Sequence, residues 1–118
     1  GVNFFELHAK FEEIYTDLVE KVDEIAERIL TLGYTPNNAY SQYLKVSRIQ
    51  EDIAVSTAQE CLTGTLKGLT VLLEQQREIL NFAGEAEDEG TASQMSDYIK
   101  EQEKLVWMFQ AACQTCHA

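Results

Sequence analysis

Apolar residues recur at every third or fourth position from Phe4 to Leu32, at Phe4, Leu7, Phe11, Ile14, Leu18, Val22, Ile25, Ile29 and Leu32. That period predicts an amphipathic helix, the clearest element in the chain. Gly33 sits where a helix C-cap is expected, and Pro36 beyond it prevents continuation. Asn37 to Ser47 reads as a short helix with Ala39, Tyr43, Leu44 and Val46 partly covered, and Ile49 to Val55 as a loop. Ser56 or Thr57 can cap the next helix, with Glu60 in the capping-box position for Thr57. That helix is expected to run to about Ala86 on a core of Leu62, Leu66, Leu69, Leu72, Leu73, Ile79, Leu80 and Phe82. Gly64 and Gly68 cost it roughly 1 kcal/mol each relative to alanine, which a close helix approach is expected to offset. An acidic stretch around Gly90 (Glu85, Glu87, Asp88, Glu89) then leads to a last helix carrying Asp97, Glu101 and Glu103 to Met108. The pattern predicts an all-α chain.

The polar positions of the first long helix carry the chemistry. At about 100° per residue, with His8 as zero, Glu12, Asp23 and Glu27 fall near 40°, 60° and 100°, while the apolar stripe centres near −50°. Tyr15, Val19, Ala26 and Leu30 lie on its near flank, so the four ligand-type side chains border the face expected to be buried. His8 and Glu12 are separated from Asp23 and Glu27 by 15 residues, about 22 Å of helix, so one helix cannot bring both pairs to a single ion. Two copies packed antiparallel about a two-fold axis near Asp17 and Leu18 would set one chain's His8 and Glu12 opposite the other's Asp23 and Glu27, twice over. One imidazole with three carboxylates suits iron or manganese better than structural zinc. On an arbitrary helix the plainer reading is a solvated acidic flank with His8 at its boundary.

The run Phe4-Phe5-Glu6-Leu7-His8, then Phe11-Glu12-Glu13-Ile14-Tyr15, then Asp23-Glu24-Ile25-Ala26-Glu27-Arg28-Ile29, closing with Leu32-Gly33 and Pro36, resembles the second helix of the Dps family, the miniferritins. Glu103-Lys104-Leu105-Val106-Trp107-Met108 is similar to the family's final helix, so the resemblance covers essentially the whole chain. It implies a ferritin-like four-helix bundle, here represented by its second to fourth long helices plus a short helix in the middle connection. Family members begin with another long helix that supplies a further ligand histidine, whereas this chain opens at Gly1-Val2-Asn3. A single ferritin-like domain over residues 1–118, N-terminally incomplete, is therefore expected.

The resemblance further implies that His8, Glu12, Asp23 and Glu27 are ferroxidase ligands and metal ligands at a site shared by two subunits. On that basis the chain oxidises Fe²⁺, with H₂O₂ preferred to O₂, and stores ferric iron in a hollow dodecamer of identical subunits, protecting DNA from oxidative damage. Asp88, Glu89, Asp97 and Glu101 become candidates for an acidic funnel at the threefold junction, where weak oxygen ligands would let the ion pass. Read without the resemblance, these acids are a solvated loop and helix face.

Composition narrows the partners. The 118 residues, 45% hydrophobic and 25% charged with one proline, make a chain with enough material for one core. Its longest apolar runs are far below the ~20 residues needed to cross a bilayer, so no membrane partner is expected. Twenty acidic residues against nine basic ones give a net charge of −11, a field that attracts ferrous ions and repels DNA. DNA contact is therefore expected to be weak or indirect, and a nucleoid-compacting protein without significant ferroxidase activity is the competing reading. A catalytically incompetent structural chain that only packs with partners is another.

Three cysteines fit a reducing, cytoplasmic compartment better than a disulfide scaffold. Cys113-Gln114-Thr115-Cys116-His117 matches the attachment sequence of c-type haem, although it stands at the end of a chain with no visible export signal. Haem is the weaker reading, redox-active or metal-binding thiols a stronger one, and a C-terminus without chemistry, its two cysteines free, the strongest. Cys61 reads as a buried small hydrophobe in preference to a thiolate ligand for haem. His8 and His117 are the only histidines, which leaves no serine or cysteine triad to assemble.

Overall fold

The structure, a computed structural model, describes residues 4–49 and 57–113. Four helices account for it: α1 (Phe4–Thr31), α2 (Tyr40–Val46), α3 (Ala58–Glu85) and α4 (Glu89–Ala112). They fall into two compact units, one holding α1 and α2, the other α3 and α4. There is no strand among the described residues, and no described helix is long and apolar enough to cross a membrane.

α1 runs 28 residues without interruption. It stops where Gly33 adopts φ +90°, with the Gly33 N–H donating to Leu30 O and the Tyr34 N–H to Ile29 O, both at 3.0 Å. This is a Schellman ending, which needs a left-handed residue that glycine supplies without a Cβ clash. α2 starts three residues later than the sequence predicts. The segment before it is held instead by side chains, with the Asn38 and Ala39 N–H groups donating to Gln42 Oε1 at 3.3 and 3.4 Å and the Tyr43 hydroxyl donating to Asn37 O. Tyr43, Leu44 and Val46, expected to be partly covered, are exposed. Of the expected loop Ile49 to Val55, all but Ile49 lies outside the described residues, as does Ser56.

The capping box at the start of α3 forms as its sequence predicts. Thr57 Oγ1 accepts the Glu60 N–H at 3.1 Å and Glu60 Oε2 accepts the Thr57 N–H at 3.3 Å. α3 and α4 then pack as an antiparallel hairpin, tied across its outside by Arg77 and Glu103 at 3.1 Å. α3 buries Leu62, Leu66, Leu69 and Leu73 at spacings of four, three and four, and α4 buries Met95, Tyr98 and Phe109. Each such leucine contributes roughly 1.5–3 kcal/mol by leaving water.

Two expectations about α3 fail for one geometric reason. The buried row continues through Gln76, half-buried Leu80 and Ala83. Phe82, about 180° around the helix from Leu73, therefore points away from it and Ile79 lies off its edge, and both are exposed. Gly64 also lies about 180° from Leu73, and Gly68 about 140°. A Cβ at either glycine would meet nothing within 4 Å among the described residues, so no close helix approach by them offsets the low helix propensity. Trp107 is likewise exposed on α4.

Candidate metal centre

α1 carries two faces. Leu7, Ile14 and Lys21, seven residues apart, form the buried row, at about −100° to −140° from His8. Lys21 keeps its stem in that row and its ammonium on Asp17 Oδ2 at 2.6 Å, an i,i+4 pair in the favourable order. Nothing in the hydropathy pattern marks Lys21 as buried, since a lysine reads as a surface residue.

His8, Glu12, Asp23 and Glu27 are all exposed. The sequence places them beside a buried stripe, and this requires correction. The half of the apolar stripe next to them is itself exposed, with Tyr15 at 71%, Val22 at 62% and Leu30 at 59%, and Val19 also open. These four lie between about −40° and +40° on the scale that puts His8 at zero and Glu27 at 100°. The helix thus offers a contiguous sector in which side chains of ligand type and uncovered apolar side chains alternate. Single exposed apolar residues are ordinary, but a contiguous stripe marks a contact surface.

Because α1 is one unbroken helix, the His8–Glu12 and Asp23–Glu27 pairs stay about 22 Å apart within a chain. Among the described residues no three histidine, cysteine, aspartate or glutamate side chains gather where they could hold one ion. Each pair, one turn apart, can supply two donors, and a complete site needs donors from a second helix. Glu12 also edges a shallow concavity with Ala9, Glu13, Thr16, Asp17 and Glu20, on the far side of the sector from the apolar stripe.

The remaining candidates separate. Asp88 has a local task as the N-cap of α4, its Oδ1 accepting the Thr91 N–H at 3.1 Å and its Oδ2 the Thr91 hydroxyl at 2.5 Å. Glu89, Asp97 and Glu101 are exposed on α4, the last two one turn apart. Cys61 is a free thiol and is half-buried, where full burial was expected. Cys113 is buried and disulfide-bonded, which corrects the expectation of a free thiol there. Its sulfur lies 3.0 Å from Gln59 Oε1 in the first turn of α3. Cys116 and His117 lie outside the described residues.

Known proteins resemble this chain in sequence and in fold. The ferritin-like domain family matches residues 1–118. An uncharacterized protein of Haemophilus influenzae is 86% identical over 117 residues, which is 99% of this chain and 73% of that protein. The DNA protection during starvation protein of Porphyromonas gingivalis is 44% identical over 108 residues, 92% of this chain and 68% of the relative. The crystal structure of the Dps protein from Vibrio cholerae O1, described as a member of a superfamily of ferritin-like diiron-carboxylate proteins, superposes with a TM-score of 0.89 at 57% identity, covering 94% of this chain and 70% of that one. With a whole-chain domain match and these likenesses in both sequence and fold, the chain belongs to the Dps family of ferritin-like proteins.

Proposed function

We propose that this chain is a ferroxidase subunit whose two identical metal sites form between two-fold-related copies of α1. His8 and Glu12 of one copy face Asp23 and Glu27 of the other. The observation that carries the reading is the coincidence, on one sector of α1, of four exposed ligand side chains with the uncovered stripe of Tyr15, Val19, Val22 and Leu30. Burying that stripe against a second copy would bring the two half-sites together in the same step, so that assembly and metal binding are one event.

The donor set fits the substrate. Hard carboxylate oxygens favour Fe³⁺ over Fe²⁺ and so lower the barrier to electron loss, while the His8 imidazole helps retain the ferrous ion. Each Fe²⁺ gives up one electron, and H₂O₂, the preferred oxidant over O₂, takes up two with two protons to give water. Ferric product is stored inside a dodecamer of identical subunits, and the net charge of −11 per chain draws cations toward it. Glu89, Asp97 and Glu101, with Asp88 at the start of α4, are the pore candidates through which Fe²⁺ would enter. Residues 1–118 act as one ferritin-like domain of a cytoplasmic protein. DNA is protected by removing iron and peroxide, with little direct contact.

The test is to add H₂O₂ anaerobically to the ferrous-loaded full-length protein and follow Fe²⁺ loss and the elution position of ferric iron. Oxidation faster than in protein-free buffer, with ferric iron eluting with the assembled species, is expected. Oxidation at the protein-free rate by an assembled protein would overturn the proposal.

A further inference from the structure

The buried rows of α3 and α4 are each interrupted by one glutamine. Gln76 continues the row of Leu62, Leu66, Leu69 and Leu73 and is 7% exposed; Gln102 lies between Tyr98 and Phe109 and is 1% exposed. A leucine at either position would extend the row without burying an amide. The Arg77–Glu103 contact sets the level at which the two helices face each other. Gln76 and Gln102 each precede one of those residues, so in an antiparallel hairpin they sit about 3 Å apart along its axis.

Gln76 Oε1 and both Oε1 and Nε2 of Gln102 have no hydrogen-bond partner among the described residues. Buried amide atoms left this way cost stability, and native interiors hold very few of them. The chemistry of the missing partner follows from the atoms. Two carbonyl oxygens call for a donor, and the Gln102 amide N–H calls for an acceptor. A cation would satisfy the oxygens and be repelled by the N–H; an anion would do the reverse. A small neutral molecule that both donates and accepts satisfies all three, and water meets that description with three or four hydrogen bonds to give.

We propose that Gln76 and Gln102 bind an internal water between α3 and α4, and that this polar layer fixes the axial register of the hairpin. Leucine rows alone tolerate a one-turn slip, because leucine would again face leucine. With the layer in place such a slip strands the amides against apolar side chains.

A crystal structure of the full-length protein at a resolution that shows ordered solvent tests the claim directly. A water within hydrogen-bond distance of the Gln102 amide and of Gln76 Oε1 is expected. Amides bonded to each other or to another protein side chain, with no water between them, would overturn it. Independently, Gln102→Leu should lower the unfolding midpoint, because it removes the water's anchor and strands Gln76, and Gln76→Leu added to it should recover part of that loss. A midpoint raised by Gln102→Leu alone would show an amide that was simply orphaned and would sink the proposal.

Discussion

Gly33 and Glu87 occupy the same position in the same helix-ending pattern, one after α1 and the other after α3. Around Glu87 the N–H donates to Gly84 O at 3.2 Å and the following Asp88 N–H to Ala83 O at 2.8 Å, with φ at +58°. A glutamate pays a Cβ clash in that conformation that Gly33 does not, on the order of 1 kcal/mol. Glu87→Gly should therefore stabilise the protein by about 0.5 kcal/mol, the remainder being offset by glycine's larger unfolded-state entropy. The unfolding midpoint at fixed protein concentration checks this, and a lower midpoint in the variant contradicts it.

Val22 stands in the middle of the exposed stripe on α1. If that stripe is covered by a second copy, Val22→Asp places a carboxylate in an apolar contact and should weaken assembly by about 10- to 100-fold, the equivalent of ~1.4–2.8 kcal/mol. Sedimentation velocity reads the assembly, and circular dichroism confirms that the helices persist. Unchanged assembly would mean that this stripe is not the interface.

Glu27 and Glu13 are both exposed glutamates of α1, but Glu13 lies about 140° from His8 and pairs with Lys10 at 3.0 Å. Glu27→Ala should slow iron oxidation at least about tenfold, a barrier increase of ~1.4 kcal/mol, and Glu13→Ala by less than about twofold. Initial rates with limiting H₂O₂ decide between them. Equal losses would show that the ligand sector has been placed on the wrong side of the helix.

DNA binding should be weak or absent at ~0.15 M salt and micromolar protein, because an acidic chain has few counterions to release from phosphate. The gel shift must be run without divalent metal, which could bridge two anionic surfaces. A retarded band under those conditions would contradict the account.

The helices were legible because their cause is local. The three- and four-residue recurrence gave α1 and α3, and Thr57, Glu60 and Gly33 marked real ends because their side chains, or the lack of one, act on the backbone beside them. What depends on neighbours was not legible. Periodicity identifies Tyr15, Val22 and Phe82 as apolar but does not say whether this chain covers them, so a stripe that is part buried and part exposed reads as one buried face. Glu87 in a left-handed turn and Lys21 in a buried row contradict the usual habits of their residue types, and only the surrounding hydrogen bonds reveal them. The spacing of His8, Glu12, Asp23 and Glu27 was plain from the start, since a helix fixes relative positions along itself.

If each metal site draws on two chains, two differently damaged chains should repair one another when assembled together. His8→Ala and Asp23→Ala chains, each inactive alone, are unfolded together and reassembled. In an interface between one of each, one site receives both lesions and the other receives none. Random pairing should therefore restore about a quarter of the wild-type sites, with a matching gain in ferrous binding and oxidation, as two-fold symmetry requires. A mixture no more active than its separate components, although assembled to the same degree, would show that each site is built within one chain and would contradict the account.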